Sequence, residues 1–248
     1  MEKKANAVVL RAADYGENDK ILSLFTLEEG VIVAGIKGVK KAGAKLRFAA
    51  QPLSFNEYVF SSKGGRNTVV GATGLDSFYD LRTDIFRFYA AATAGEFCLD
   101  FLPEGIVSPA VFFGLVELLK QLCYGTGDAG TLLCKFLYDA LSSAGYRADF
   151  SGCVRCGCPE ISGKVLFDFE RGACVCVECS AEGDVGMSES TYRFLHSVAQ
   201  GTPYEDLPQI ASDTIRRALK FLAYFIEYKT DVKLKSIQEL LSMYAQKV

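Results

Sequence analysis

Hydrophobic positions in the first 75 residues fall in short runs separated by glycine-containing turns. Residues 6–12 carry Val8, Val9 and Leu10, and residues 20–26 alternate in part through Ile21, Leu22, Leu24 and Phe25. Residues 31–36 are rich in β-branched side chains and follow Gly30. Another alternating run spans 53–60, and 67–73 follows the turn Lys63-Gly64-Gly65-Arg66. Runs of this length, bounded by turn residues, predict strands. Five in succession predict a small closed barrel of the OB type.

Beyond residue 75 the period lengthens. Phe78, Leu81, Ile85, Phe88, Tyr89 and Ala92 recur at helical spacing within 76–102, and Pro103 ends the pattern. Ser108-Pro109 reads as an N-cap with proline at the first helical position, opening an apolar run over 111–124. Further helices are expected at 132–144, 188–199, 210–228 and 236–244. Residues 152–180 interrupt the helical pattern with Cys and Gly. The chain therefore reads as α+β. An OB-fold domain over 1–75 is followed by a helical domain over 76–248, with a cysteine module inserted at 152–180.

That module carries the sharpest chemistry. Cys153-Val-Arg-Cys156 and Cys176-Val-Glu-Cys179 are two Cys-x-x-Cys pairs with nineteen residues between them. Two intervening residues let both sulfurs of a tight turn face one centre, and two such knuckles complete a tetrahedron around one zinc ion. Gly157 and Gly172 suit the turns, and 165–169 reads as a connecting strand. Cys158 and Cys174 leave the ligand set open to substitution. A metal-free cysteine-rich loop and a redox pair remain the competing readings. The expected role is structural, because an open catalytic site usually includes a histidine or carboxylate. The single histidine, His196, falls on a predicted helix, where a satisfied or exposed imidazole is expected. No His-x-Glu deaminase pattern and no phosphate-binding Gly-x-x-x-x-Gly-Lys loop occurs, so no enzymatic activity is expected.

Net charge is −3, which argues against binding polyanions over the whole surface. The distribution is uneven: residues 1–75 hold eleven Lys/Arg against seven Asp/Glu, and residues 76–152 hold five against ten. Within the basic end, Lys37, Lys40, Lys41, Lys45 and Arg47 fall in eleven residues with no acid among them. Cations on a glycine-containing loop beside a small barrel fit phosphate contact. A solvated surface loop is the alternative. Phe48, Phe55, Tyr58 and Phe60 lie nearby and are expected in the core. Residues 210–228 offer a third feature, with Ile215, Leu219, Leu222 and Phe225 or Ile226 on one helix face, edged by Arg216, Arg217 and Lys220. Apolar ground with cations suits an acidic, apolar peptide; an amphipathic helix packed on a core is the plainer alternative.

No secretory leader or membrane span is evident, so a cytoplasmic, nucleoid-associated location is expected.

Several segments resemble one family. Residues 13–20, Ala-Asp-Tyr-Gly-Glu-Asn-Asp-Lys, are followed by Leu24-Phe25-Thr26, Gly30, Lys37-Gly38 and Gln51-Pro52-Leu53. This order is similar to the amino-terminal signature of RecO proteins. Phe167-Asp168 ahead of Gly172 and the second knuckle resembles the family's zinc module, and Leu234-Lys235-Ser236 its last signature patch. The basic loop departs from the family pattern, with Lys40-Lys41 where arginine is frequent. The resemblance implies a mediator of recombinational repair in the RecFOR pathway. Such a protein binds single- and double-stranded DNA, anneals strands, associates with RecR and engages the single-strand-binding protein's acidic tail. It thereby helps RecA load, and RecF is a further possible partner. An adaptor whose OB-fold binds protein instead of DNA is the alternative.

Overall fold

A computed structural model describes residues 2–161 and 163–246. The chain divides into two compact units, 1–125 and 126–248. The first two helices thus group with the barrel strands.

The first unit begins with five strands: β1 (Glu2–Tyr15), β2 (Asp19–Thr26), β3 (Gly30–Ile36), β4 (Phe55–Lys63) and β5 (Arg66–Asp76). They close in the order β1-β2-β3-β5-β4, with β4 returning to β1. All pairings are antiparallel except β3 with β5, which runs parallel over three pairs and closes the barrel. This is the five-stranded OB-type barrel expected from the sequence. β1 is long because it serves two neighbours: Glu2 to Val8 pair with β4, and Ala7 to Tyr15 with β2. A bulge between Val9 and Arg11 bends the strand between these duties.

Alternation fills the barrel with Ala5, Ala7, Val9, Leu22, Leu24, Ile32, Ala34, Ile36, Tyr58, Phe60 and Val69. Tyr58 and Phe60 stack with centroids 5.6 Å apart. Helices α1 (Ile85–Phe101) and α2 (Pro109–Tyr124) complete the unit. Asp84 caps α1 by accepting from the N–H groups of Phe86 and Arg87. Phe112 of α2 packs edge-on against Phe25 and Phe55 of the barrel wall, at 5.3 and 6.0 Å. The periodic run starting at 76 is thus not all helix. β5 extends to Asp76, and a 3-10 turn over Tyr79–Thr83 precedes α1.

The second unit contains α3 (Ala129–Ser143), β6 (Val165–Asp168), β7 (Ala173–Cys176), β8 (Val185–Met187), α4 (Glu189–Ala199), α5 (Ser212–Thr230) and α6 (Ser236–Gln246). Its three strands form an antiparallel sheet in the order β7-β6-β8. Phe150, Phe167, Phe221 and Phe225 form an aromatic centre, with Phe167 4.8 Å from Phe221. β6 is the connecting strand expected from the sequence, and it is buried along its whole length. His196 is satisfied on α4, its Nδ1 2.9 Å from the Phe150 carbonyl, which fixes that nitrogen as the donor. Among the described residues no helix is long and apolar enough to cross a membrane.

Candidate metal centre and nucleic-acid interface

The first knuckle is a turn whose Cys153 carbonyl accepts from Gly157 N–H at 2.8 Å. Gly157 has φ of 75°, a left-handed conformation that a side chain would strain. The second knuckle begins at Cys176, the last residue of β7, and closes in a single 3-10 turn over Val177–Cys179. The hairpin of β6 and β7 brings the knuckles together. The Sγ atoms of Cys153, Cys156, Cys176 and Cys179 all lie within 4.8 Å of one another, and Cys156 and Cys176 are 3.8 Å apart. Sulfurs about 2.3 Å from a central zinc in a tetrahedron stand about 3.8 Å apart. The cluster therefore fits a metal of that size.

Cys158 and Cys174 lie outside the cluster. Cys174 sits opposite Phe167 on the hairpin, and burial pushes its pKa up to about 12, so it remains a neutral core thiol. Within the cluster, burial opposes the Cys153 thiolate. The backbone N–H groups of Cys176, Cys156 and Arg155 outweigh it and bring the pKa down to about 6. Burial, followed by the neighbouring thiols of Cys179 and Cys153, drives Cys176 the other way. Sulfurs this close share negative charge poorly without a cation among them.

A clamp around the cluster escaped the sequence reading. Arg155, inside the first knuckle, donates to the Cys179 carbonyl at 2.6 Å, to both Asp184 oxygens and to Asp168 Oδ2 at 2.8 Å. It joins the first knuckle to the second, to β6 and to the turn before β8. Asp184 also accepts from Ala181 N–H at 2.7 Å, and Asp168 from Arg171 N–H at 3.0 Å. The available signal was an arginine between paired cysteines, with acids downstream to receive it.

The basic loop joins β3 to β4. Lys37, Lys40, Lys41, Lys45 and Arg47 are all exposed. The loop is more ordered than its glycines suggested. Backbone bonds Lys41 N–H to Gly38 O, Ala44 N–H to Lys41 O and Arg47 N–H to Ala44 O fold it into consecutive turns. Gly38 and Gly43 supply left-handed residues for these turns, whereas Gly35 belongs to β3. Asp19 accepts from Gly38 N–H at 2.7 Å, and Val39 is buried in the barrel core. The cations differ in freedom. Lys40 pairs with Asp14 at 2.6 Å, holding that carboxyl below its ordinary value, and the Arg47 guanidinium donates to Lys41 O at 2.8 Å. Lys37, Lys41 and Lys45 make no ion pair among the described residues. Tyr58 and Phe60 are core residues, as expected, but Phe48 is exposed.

On α5 the apolar face of Ile215, Leu219, Leu222, Phe225 and Ile226 is buried and offers no open ground. The opening lies beside it. A cavity of about 270 Å³ is lined by Phe169, Val185, Met187, Arg217, Lys220 and Tyr224, among others. Arg216 does not line it and pairs with Asp213 at 2.7 Å. Arg217 also reaches Asp213, at 2.6 Å, whereas Lys220 has no ion pair among the described residues. β8, which forms one wall, was not anticipated because its three residues carry no periodic signal.

A closed OB-type barrel with an ordered cationic loop, in a chain whose second unit carries a four-thiol cluster, defines an OB-fold protein with a module able to hold a metal. Residues 1–78 match the family described as recombination protein O, N terminal, and residues 82–238 its C-terminal counterpart. The chain belongs to the RecO family of DNA repair proteins. It is 33% identical to the DNA repair protein RecO of Pelotomaculum thermopropionicum over 178 residues, covering 72% of this chain and 68% of that one. It is 28% identical to that of Syntrophomonas wolfei over 230 residues, 92% of this chain and 89% of the relative. For Desulfitobacterium hafniense the figures are 29% over 243 residues, 94% and 86%.

Proposed function

We propose that the protein is a DNA-binding recombination mediator that acts without covalent chemistry. It binds single- and double-stranded DNA through Lys37, Lys40, Lys41, Lys45 and Arg47. The observation that carries this reading is the loop itself: five exposed cations pinned in fixed turns on an OB barrel, three of them without an ion-pair partner among the described residues. Each phosphate neutralised releases counterions, which drives binding and lowers the repulsion between two approaching strands. Annealing of complementary strands follows from that lowered repulsion. A salt series of binding titrations with single-stranded DNA tests the reading, since an adaptor that binds only protein gives no salt-dependent DNA affinity.

The four cysteines Cys153, Cys156, Cys176 and Cys179 hold one structural zinc. Bound there, zinc neutralises the thiolates and fastens the two knuckles, so its binding energy contributes to folding. The cavity beside α5 receives the acidic, apolar tail of single-strand-binding protein: Lys220 and Arg217 meet its carboxylates, and the aromatic wall takes its side chains. RecR is the expected protein partner, and helping RecA load on coated strands the expected outcome, with RecF a further participant. The work is cytoplasmic and nucleoid-associated.

A further inference from the structure

We propose that a notch beside the basic loop is a pocket for a single unstacked nucleobase carrying an exocyclic amino group. The proposal rests on the DNA-binding reading of that loop and adds a base contact to its phosphate contacts.

The notch, about 240 Å³, is lined by Phe48, Gln51, Asn56, Gly74, Leu75 and Asp76, among others. Phe48 directly follows Arg47 in the chain, so a strand held by the loop's cations has its bases within reach of the ring. It is 39% exposed, unlike the nearby aromatics Tyr58 and Phe60. Opposite it, Gly74 leaves open the space that a Cβ would take. That point lies 3.5 Å from Phe48 Cε2 and 3.8 Å from Asn56 Oδ1, so the ring and the amide oxygen border the same gap. Gly74 has no left-handed φ, so its missing side chain is not required by the backbone.

The chemistry of the notch follows from a proton count. Tyr58 O–H donates to the Ala49 carbonyl at 2.5 Å, and Ser54 O–H donates to the Gln51 carbonyl at 2.7 Å. Each hydroxyl has then used its only hydrogen and can only accept from Asn56. Asn56 Nδ2 supplies both bonds, at 3.2 and 3.0 Å. The amide orientation is thereby fixed, and Oδ1 accepts no hydrogen bond among the described residues, on a residue that is 1% exposed. Oδ1 borders the open space of the notch, where an N–H of a bound base can reach it. Asp76 adds a second acceptor, held in place by Tyr124 O–H at 2.8 Å and Phe78 N–H at 2.9 Å. An aromatic face with two acceptors at its edge suits a base with N–H groups to donate, as on cytosine. Thymine offers a single N3–H flanked by two carbonyls in place of an amino group with two hydrogens, and fits less well. Leu53, one residue before Ser54, holds a left-handed φ of 68°, a conformation often kept at binding sites.

The experiment compares oligo(dC), oligo(dT) and an abasic oligomer of equal length on the full chain with its metal bound. The wild type is expected to bind oligo(dC) about 5-fold or more tightly than the other two. Gly74→Leu, which fills the notch, and Phe48→Ala, which removes its stacking face, should each abolish that difference while leaving abasic binding unchanged. Equal affinity of the wild type for oligo(dC) and the abasic oligomer, or a preference that survives in both variants, overturns the pocket. Failure of the DNA-binding reading looks different, because then no oligomer binds at all.

Discussion

The guanidinium of Arg155 grips the Asp184 carboxylate with two parallel bonds, Nη1 to Oδ2 at 2.5 Å and Nη2 to Oδ1 at 2.8 Å. The Asp184 side chain is 3% exposed. Because Arg155 sits between two cluster cysteines and also holds the Cys179 carbonyl, this pair fixes the spacing of the knuckles. Arg155→Ala and Asp184→Asn are each expected to weaken zinc binding about 10- to 100-fold, as removal of outer hydrogen bonds does at other metal sites. Competition with a chromophoric chelator measures it.

The same pair gives a pH dependence. The Arg155 guanidinium holds the Asp184 carboxyl below its ordinary value. A depressed folded pKa stabilises the fold above the unfolded value, about 3.9 for aspartate, and that stabilisation is lost as pH falls through the folded pKa. The stability lead of the wild type over Asp184→Asn should therefore be constant above about pH 5. It should shrink below about pH 4 and vanish at lower pH. Denaturant unfolding of both proteins across this range tests the sign.

Ligand identity is tested by serine substitutions. Cys176→Ser should lose zinc and destabilise the second unit, while Cys158→Ser and Cys174→Ser should retain it. Elemental analysis of the purified variants reads the outcome directly. Full zinc retention in Cys176→Ser would assign the ligand role elsewhere.

How much of this was legible beforehand varied with the range of the signal. The barrel strands were legible because alternation and glycine turns act locally, and the four-cysteine cluster because two residues between cysteines determine a knuckle. The end of β1 at Tyr15 was not legible: β1 continues beyond its apolar run because β2 pairs with it as far as Tyr15. One wall of the cavity beside α5 is β8, whose pairing with β6 is a tertiary event. Likewise Arg216 and Lys220 are four apart and share a helix stripe, yet Arg217 and Lys220 line the cavity and Arg216 does not.

That difference sharpens the test of peptide binding. Lys220→Ala combined with Arg217→Ala should weaken binding of an acidic tail peptide by about 1 kcal/mol or more, with zinc content and DNA binding intact. Arg216→Ala should have little effect. Calorimetric titration of the peptide distinguishes the two.

Tyr244 provides a stability test within the second unit. Its hydroxyl bonds Asp128, the N-cap of α3, and accepts from Gly130 N–H at 2.8 Å. Tyr244→Phe removes one bond from each group, while Asp128 still accepts from the Gly130 and Thr131 N–H groups, and should cost about 0.5–1.5 kcal/mol. Urea unfolding in excess zinc measures this cost separately from metal binding.

The central claim is that the ordered loop between β3 and β4 binds DNA through its cations. The most direct measurement is the salt dependence of single-stranded DNA affinity for the wild type and a Lys37→Ala, Lys41→Ala, Lys45→Ala variant, the three lysines without ion pairs among the described residues. Removing one lysine–phosphate pairing should make the slope of log K against log salt shallower by about 0.7, and removing all three by about 2, with zinc content and thermal stability unchanged. Superimposable lines of equal slope and affinity would contradict the claim.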